Sequence, residues 1–152
     1  MSAVTVAQTF AATVPDAERL WSETARWPRW VDGLERVLEV SGGWPQVGSA
    51  VRWVSGPAGR GEVTERVTAR EPLSTLVTAV SDASLKGEQT VSFMPGAGGV
   101  HVTLRLDYRL RSRSPLMRVV DLLFIRRAMR SSLELTLARF GADLQASAPP
   151  PP

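Results

Sequence analysis

The stretch Val100-His101-Val102-Thr103-Leu104-Arg105-Leu106-Asp107-Tyr108-Arg109-Leu110 alternates apolar and polar side chains almost without interruption. Val100, Val102, Leu104, Leu106, Tyr108 and Leu110 fall on one face, and His101, Thr103, Arg105, Asp107 and Arg109 on the other, as in a half-buried strand. The period then changes. From Pro115 to Leu144, Val119, Leu122, Met129, Leu133, Leu137, Phe140 and Leu144 form one stripe at helical spacing. Arg126 falls inside that stripe, and Gly141 interrupts it late. One closing helix cannot fill the concave side of a long curved sheet. A gap between the two is therefore expected, and an apolar gap can hold a small molecule.

The chain upstream supplies such a sheet. Val4, Val6 and Phe10 alternate as a strand, and Val14-Pro15-Asp16-Ala17-Glu18 opens a helix with proline and acids in its first turn. Pro28 stops that helix or starts a short second one. Strands are predicted over 34–40, 48–55, 62–70, 75–81 and 85–94, separated by Gly- and Pro-rich turns. The glycine clusters at 56–61 and 96–99 join strands and lack the Lys-Ser/Thr ending of a phosphate loop.

Composition narrows the function classes. A length of 152 residues, with 43% apolar and 22% charged side chains, fits one soluble globular domain over residues 1–146. Residues 147–152 form a Pro-rich tail with nothing to pack, expected to be disordered. The absence of cysteine excludes disulfides and thiolate chemistry, and a single histidine excludes a multi-His metal site within the chain. Net charge is only +3, and all but one of the 18 basic residues are Arg. The exception to this balance is 105–130, with eight Arg against two Asp, read as a solvated face rather than an anion site. No basic segment followed by an apolar run marks the N-terminus, and no stretch is apolar enough to span a bilayer. The expectation is a cytoplasmic protein, monomer or homodimer, with no nucleic acid, no integral membrane association, no metal and no cofactor.

The chain resembles the START-like, pollen-allergen-like helix-grip superfamily, of the bacterial polyketide cyclase/dehydrase and lipid-transport type. The resemblance rests on Val14 to Trp21, on Arg26-Trp27-Pro28-Arg29-Trp30, on Gln46-Val47-Gly48-Ser49, on 61–72 and on the final Arg-rich helix. It implies an α+β fold: a seven-stranded antiparallel sheet wrapped around a long C-terminal helix, two short helices after the first strand, and a hydrophobic cavity. It implies no single chemistry, because carriers and enzymes share the fold.

Within that frame a few polar residues fall on apolar faces. Glu65 shares a face with Val63, Val67 and Ala69, so burial would raise its pKa unless a cation pairs with it. Arg126 is the candidate cation, across the cavity; the competing reading carries both residues to a wet rim. Gln89 lies among Leu85, Gly87, Val91 and Phe93, either to orient a ligand or to satisfy backbone at a bulge. Tyr108 faces inward near a strand end, as a proton donor or as an ordinary core tyrosine. His101 falls on the polar face, which argues against a His-based cyclase.

The expected binding residues are therefore Trp53, Val67, Val77, Ala79, Val91, Phe93, Leu104, Leu106, Leu122 and Met129 as apolar lining. Glu65, Gln89, Tyr108 and Arg126 supply the polar contacts. The expected function is binding of a small hydrophobic ligand: a lipid, polyketide or aromatic metabolite. The alternative is a cyclase- or dehydratase-like enzyme with Glu65 and Tyr108 as catalytic candidates. A third reading is an interaction module using Leu116, Met117, Val120, Leu123 and Phe124.

Overall fold

The structure, a computed structural model, describes residues 2–57, 59–112 and 114–147. Apart from Ser147, the expected Pro-rich tail lies outside them. The elements are β1 (Ser2–Phe10), α1 (Val14–Ser22), a 3-10 turn (Thr24–Arg26), α2 (Trp27–Trp30), β2 (Leu34–Val40), β3 (Ala50–Ser55), β4 (Glu62–Glu71), β5 (Thr75–Ser81), β6 (Leu85–Gly96) and β7 (Gly99–Leu110). Then follow α3 (Pro115–Val120), a π-helical turn (Asp121–Ile125) and α4 (Arg126–Ser147). Thr13 caps α1 by accepting from the Asp16 amide, and proline occupies its first turn.

The seven strands form one antiparallel sheet in the order β1-β7-β6-β5-β4-β3-β2. Sequential strands are neighbours except that β1 pairs with β7, Val4 opposite Leu106. This is the helix-grip fold. Its core joins the inward sheet face to α1, α2 and the C-terminal half of α4. Trp30 is its hub, with ring centroids 4.8 Å from Trp21, 6.3 Å from Trp27 and 5.0 Å from Phe140. Polar ties fix the dock: Arg26 forks onto Asp143 at 2.7 and 3.1 Å, and the Ser132 hydroxyl donates to Asp32 at 2.7 Å.

Gly141 lies within α4 and does not break it. It lets α4 lie close against β1, because a Cβ there would overlap the buried Phe10 ring.

The helix departs from its expected phase. Leu133, Leu137, Phe140 and Leu144 are buried as expected, and Met129 is half-buried against the core. Upstream the inward positions are Ile125, Asp121, Val120 and Met117, whereas Val119, Leu122 and Arg126 face solvent. The π turn accounts for this: its wider turn rotates everything before it relative to an uninterrupted α-helix.

Candidate functional site

Among the described residues, two spaces between the sheet and the long helix stand out, and they differ in character. The inner one is built around Glu65. On β4, Val63, Glu65 and Val67 point inward and are buried. Trp53 on β3 donates its indole N–H to Glu65 Oε2 at 2.8 Å. The Thr78 hydroxyl and the Gln89 amide each approach Oε1 at 3.4 Å. Burial pushes the Glu65 carboxyl above its ordinary range, and the Trp53 N–H, the charge of Arg60 and the Thr78 hydroxyl only partly oppose it.

Arg60, from the glycine-rich turn before β4, is the cation here, in place of Arg126. Its Nε donates to Asp82 at 2.6 Å, and its guanidinium lies 5.8 Å from the Trp53 ring centroid. Burial alone would raise the Asp82 carboxyl. Arg60 and the amides of Ser84 and Leu85 outweigh that and hold it below its usual value. Arg60 is therefore committed to Asp82, and ionising Glu65 would leave the set of three with one excess negative charge on its two buried carboxyls. Two donors on residues that line the same pocket, Trp30 Nε1 and Arg60 Nη2, are buried without a partner among the described residues.

Trp21, Trp27, Val31 and Trp30 on one side and Ser132, Leu133 and Thr136 of α4 on another close this pocket to about 50 Å³. That is room for about one or two waters. The expected gap has largely closed where α4 packs well.

The outer space is larger, about 940 Å³, and open to solvent. It lies between the ends of β1, β6 and β7 and the start of the long helix. Asp121 spans it, accepting from Tyr108 at 2.6 Å and from Ser2 at 2.6 Å. Burial and then the Asp121 carboxylate raise the Tyr108 phenol well above its ordinary range, so it stays protonated and committed. Leu110 and Leu122 give the cleft apolar wall, whereas Lys86, Arg109, Arg111 and Arg118 line it with positive charge. In sequence order Leu106 on β7 and Met129 on α4 stand between the two spaces.

The expected site residues separate accordingly. Trp53, Glu65, Gln89 and Leu104 line the inner pocket, and Tyr108 and Leu122 line the cleft. Val67, Val91, Phe93 and Leu106 are core without lining either. Glu65 and Tyr108 thus belong to different spaces.

Val77 and Ala79 point away from the helix. Glu65 pairs with Val80 and Val67 with Thr78, so Thr78 and Val80 share the inward face. A bulge after Val67 also turns Ala69 outward, where it is exposed. Arg126 is exposed rather than paired with Glu65. Gln89 serves no bulge, since β6 pairs with β7 in unbroken register. His101 is exposed, 2.9 Å from the Thr9 hydroxyl.

A sequence profile of the family described as polyketide cyclase/dehydrase and lipid transport matches residues 1–145. The chain belongs to this family. No curated protein matches the sequence. Among solved structures, a START superfamily protein from Mycobacterium smegmatis superposes with a TM-score of 0.75 at 14% identity, covering 96% of this chain and 99% of that one. A protein from Thermus thermophilus gives 0.77 at 20%, covering 97% and 100%. Norcoclaurine synthase from Thalictrum flavum, solved with dopamine and hydroxybenzaldehyde, gives 0.72 at 12%, covering 98% and 89%. At these identities the likeness shows the fold alone. The family joins enzymes and carriers under one description, so the chemistry of this member rests on its own residues.

Glu65 leaves a measurable trace. A carboxyl raised on folding keeps a proton that the unfolded chain gives up. Its contribution to stability is full below the unfolded value of 4.5 and declines as pH rises toward the folded value. Glu65→Gln keeps an oxygen for the Trp53 N–H and removes the charge. Urea denaturation should find the variant more stable than wild type at pH 8, by about 1–3 kcal/mol, and no more stable at pH 4. Parallel stability curves at both pH values would place Glu65 in contact with water.

Proposed function

We propose that the chain binds a small hydrophobic molecule, a lipid, polyketide or aromatic metabolite, between its sheet and its C-terminal helix. The observation that carries this reading is the cleft of about 940 Å³ beneath the start of the long helix, within the range of small-molecule sites. Its apolar wall suits a hydrocarbon or ring, and its basic rim suits an anionic or strongly polar end. The inner pocket is too small for the body of such a ligand. It has room for no more than a water-sized polar group, enough to satisfy the free Trp30 and Arg60 donors. We place the protein in the cytoplasm as part of the same reading.

The test is binding of the apolar probe 1-anilinonaphthalene-8-sulfonate to the native protein, with native mass spectrometry of protein purified without additive. Saturable one-to-one probe binding is expected, weakened roughly tenfold by Leu110→Trp, which fills the cleft wall. No saturable binding and no co-purifying mass would remove the basis for the proposal.

One arrangement favours a second reading, a cyclase- or dehydratase-like enzyme. A buried, protonated carboxyl that shares a pocket with two unpartnered N–H donors can move a proton while a developing oxyanion is stabilised. Tyr108 has no part in it, since its proton is committed to Asp121. Turnover abolished by Glu65→Gln with probe binding intact would select the enzyme; no turnover on any planar polyketone offered would select the carrier.

A further inference from the structure

The long helix is packed into the core through its C-terminal half, and its start is tied to the sheet mainly by Asp121 on Tyr108 and Ser2. Leu116, Val119, Leu122, Leu123 and Phe124 are each between 53% and 70% exposed, on successive turns of one segment. Contiguous exposed side chains of this size mark an interaction surface. Arg118, Arg126, Arg127 and Arg130 are exposed on the same segment, and Lys86, Arg109 and Arg111 flank it across the cleft mouth. The nearby acids are fewer: Asp107 takes a fork from Arg105 at 2.8 and 2.9 Å, Asp121 is half-buried under Tyr108 and Ser2, and Glu88 stands exposed beside Lys86. The surface is therefore apolar at its centre and positive around it.

The geometry points to an anionic lipid bilayer as the occupant of this surface, with the α3 and π-turn segment lying in the headgroup region and the cleft mouth facing the membrane. Apolar side chains ringed by arginine are what an interfacial helix needs: burial at the acyl boundary with charge left among anionic headgroups. No helix among the described residues is long and apolar enough to cross a membrane, so the attachment is peripheral. A second copy of the chain is disfavoured by the same charges. A two-fold contact through this patch would bring two surfaces of the same net positive charge together. Nucleic acid would leave the leucines and Phe124 without a role.

Co-sedimentation of the full chain with vesicles tests this. Vesicles of phosphatidylcholine mixed with phosphatidylglycerol should pellet the protein, and those of phosphatidylcholine alone should pellet it at least about tenfold less, with binding weakened by salt. The exposed pair Leu123→Gln with Phe124→Gln should lower binding to the mixed vesicles roughly tenfold or more. Arg126→Gln with Arg127→Gln should do likewise, and neither pair should move the thermal melt. The inference is overturned by no pelleting with mixed vesicles, or by pelleting that both variants retain. It is equally overturned by wild-type dimers in light scattering that Leu123→Gln with Phe124→Gln dissociates, which would assign the patch to a second copy.

Discussion

Arg60→Met is expected to lower stability by about 3 kcal/mol in urea denaturation at neutral pH, a large effect for a residue in a surface turn. The Asp82 side chain is fully buried, and Arg60 is its only ionic partner among the described residues. Removing the guanidinium strands one charge and takes away the cation that opposes the burial of Glu65. The pH dependence identifies the cause. Asp82 is depressed in the folded chain, so it contributes stability above its unfolded value of 3.8 that is lost as pH falls through the folded value. The penalty of Arg60→Met should accordingly shrink toward acid pH, where a stranded Asp82 takes up a proton. Adding Asp82→Asn should recover much of the loss, a coupling measurable in a double-mutant cycle. A loss below about 1 kcal/mol, independent of pH, would mean that the pair behaves as a surface ion pair.

Gly141→Ala should destabilise by about 2–3 kcal/mol, against the direction that helix propensity gives. In an open helix the change would gain about 1 kcal/mol. Here the new methyl would overlap the Phe10 ring, which packs edge-on to Phe140 at 6.0 Å between centroids. Phe10→Leu should therefore relieve much of the penalty, making the double variant less damaged than the sum of the two. Thermal melts of the four proteins check this. A neutral or stabilising Gly141→Ala would show that α4 does not approach β1 so closely.

These cases show what the chain discloses before it folds. β7 is legible because its alternation is unbroken and both of its neighbours read the same register. Glu65 and Gln89 are legible as inward polar residues because their strands alternate cleanly around them. β5 is not: Leu76, Val77, Thr78, Ala79 and Val80 offer small or apolar side chains on both faces, and only pairing with β4 decides between them. The helix phase fails for a different reason. The segment around Asp121 gives no local signal of a π turn, and that turn rotates Leu122 and Arg126 away from the sheet. Arg60 sits in a glycine-rich turn and carries no periodicity at all. Its one clue is topological, since Thr64 pairs with Ser81 and so brings the start of β4 beside Asp82.

The pairing of Val4 with Leu106 has a consequence for how the protein is made. The first strand leaves the ribosome about a hundred residues before the strand it must join, and the helix that covers both follows later still. Contacts so distant along the chain favour slow assembly. Until β7 emerges the nascent β1 is an unpartnered strand with one apolar face, a segment for chaperones to shield. Closure of the sheet thus waits on β7, and a chain stalled or clipped before Gly99 would leave its first strand without a partner.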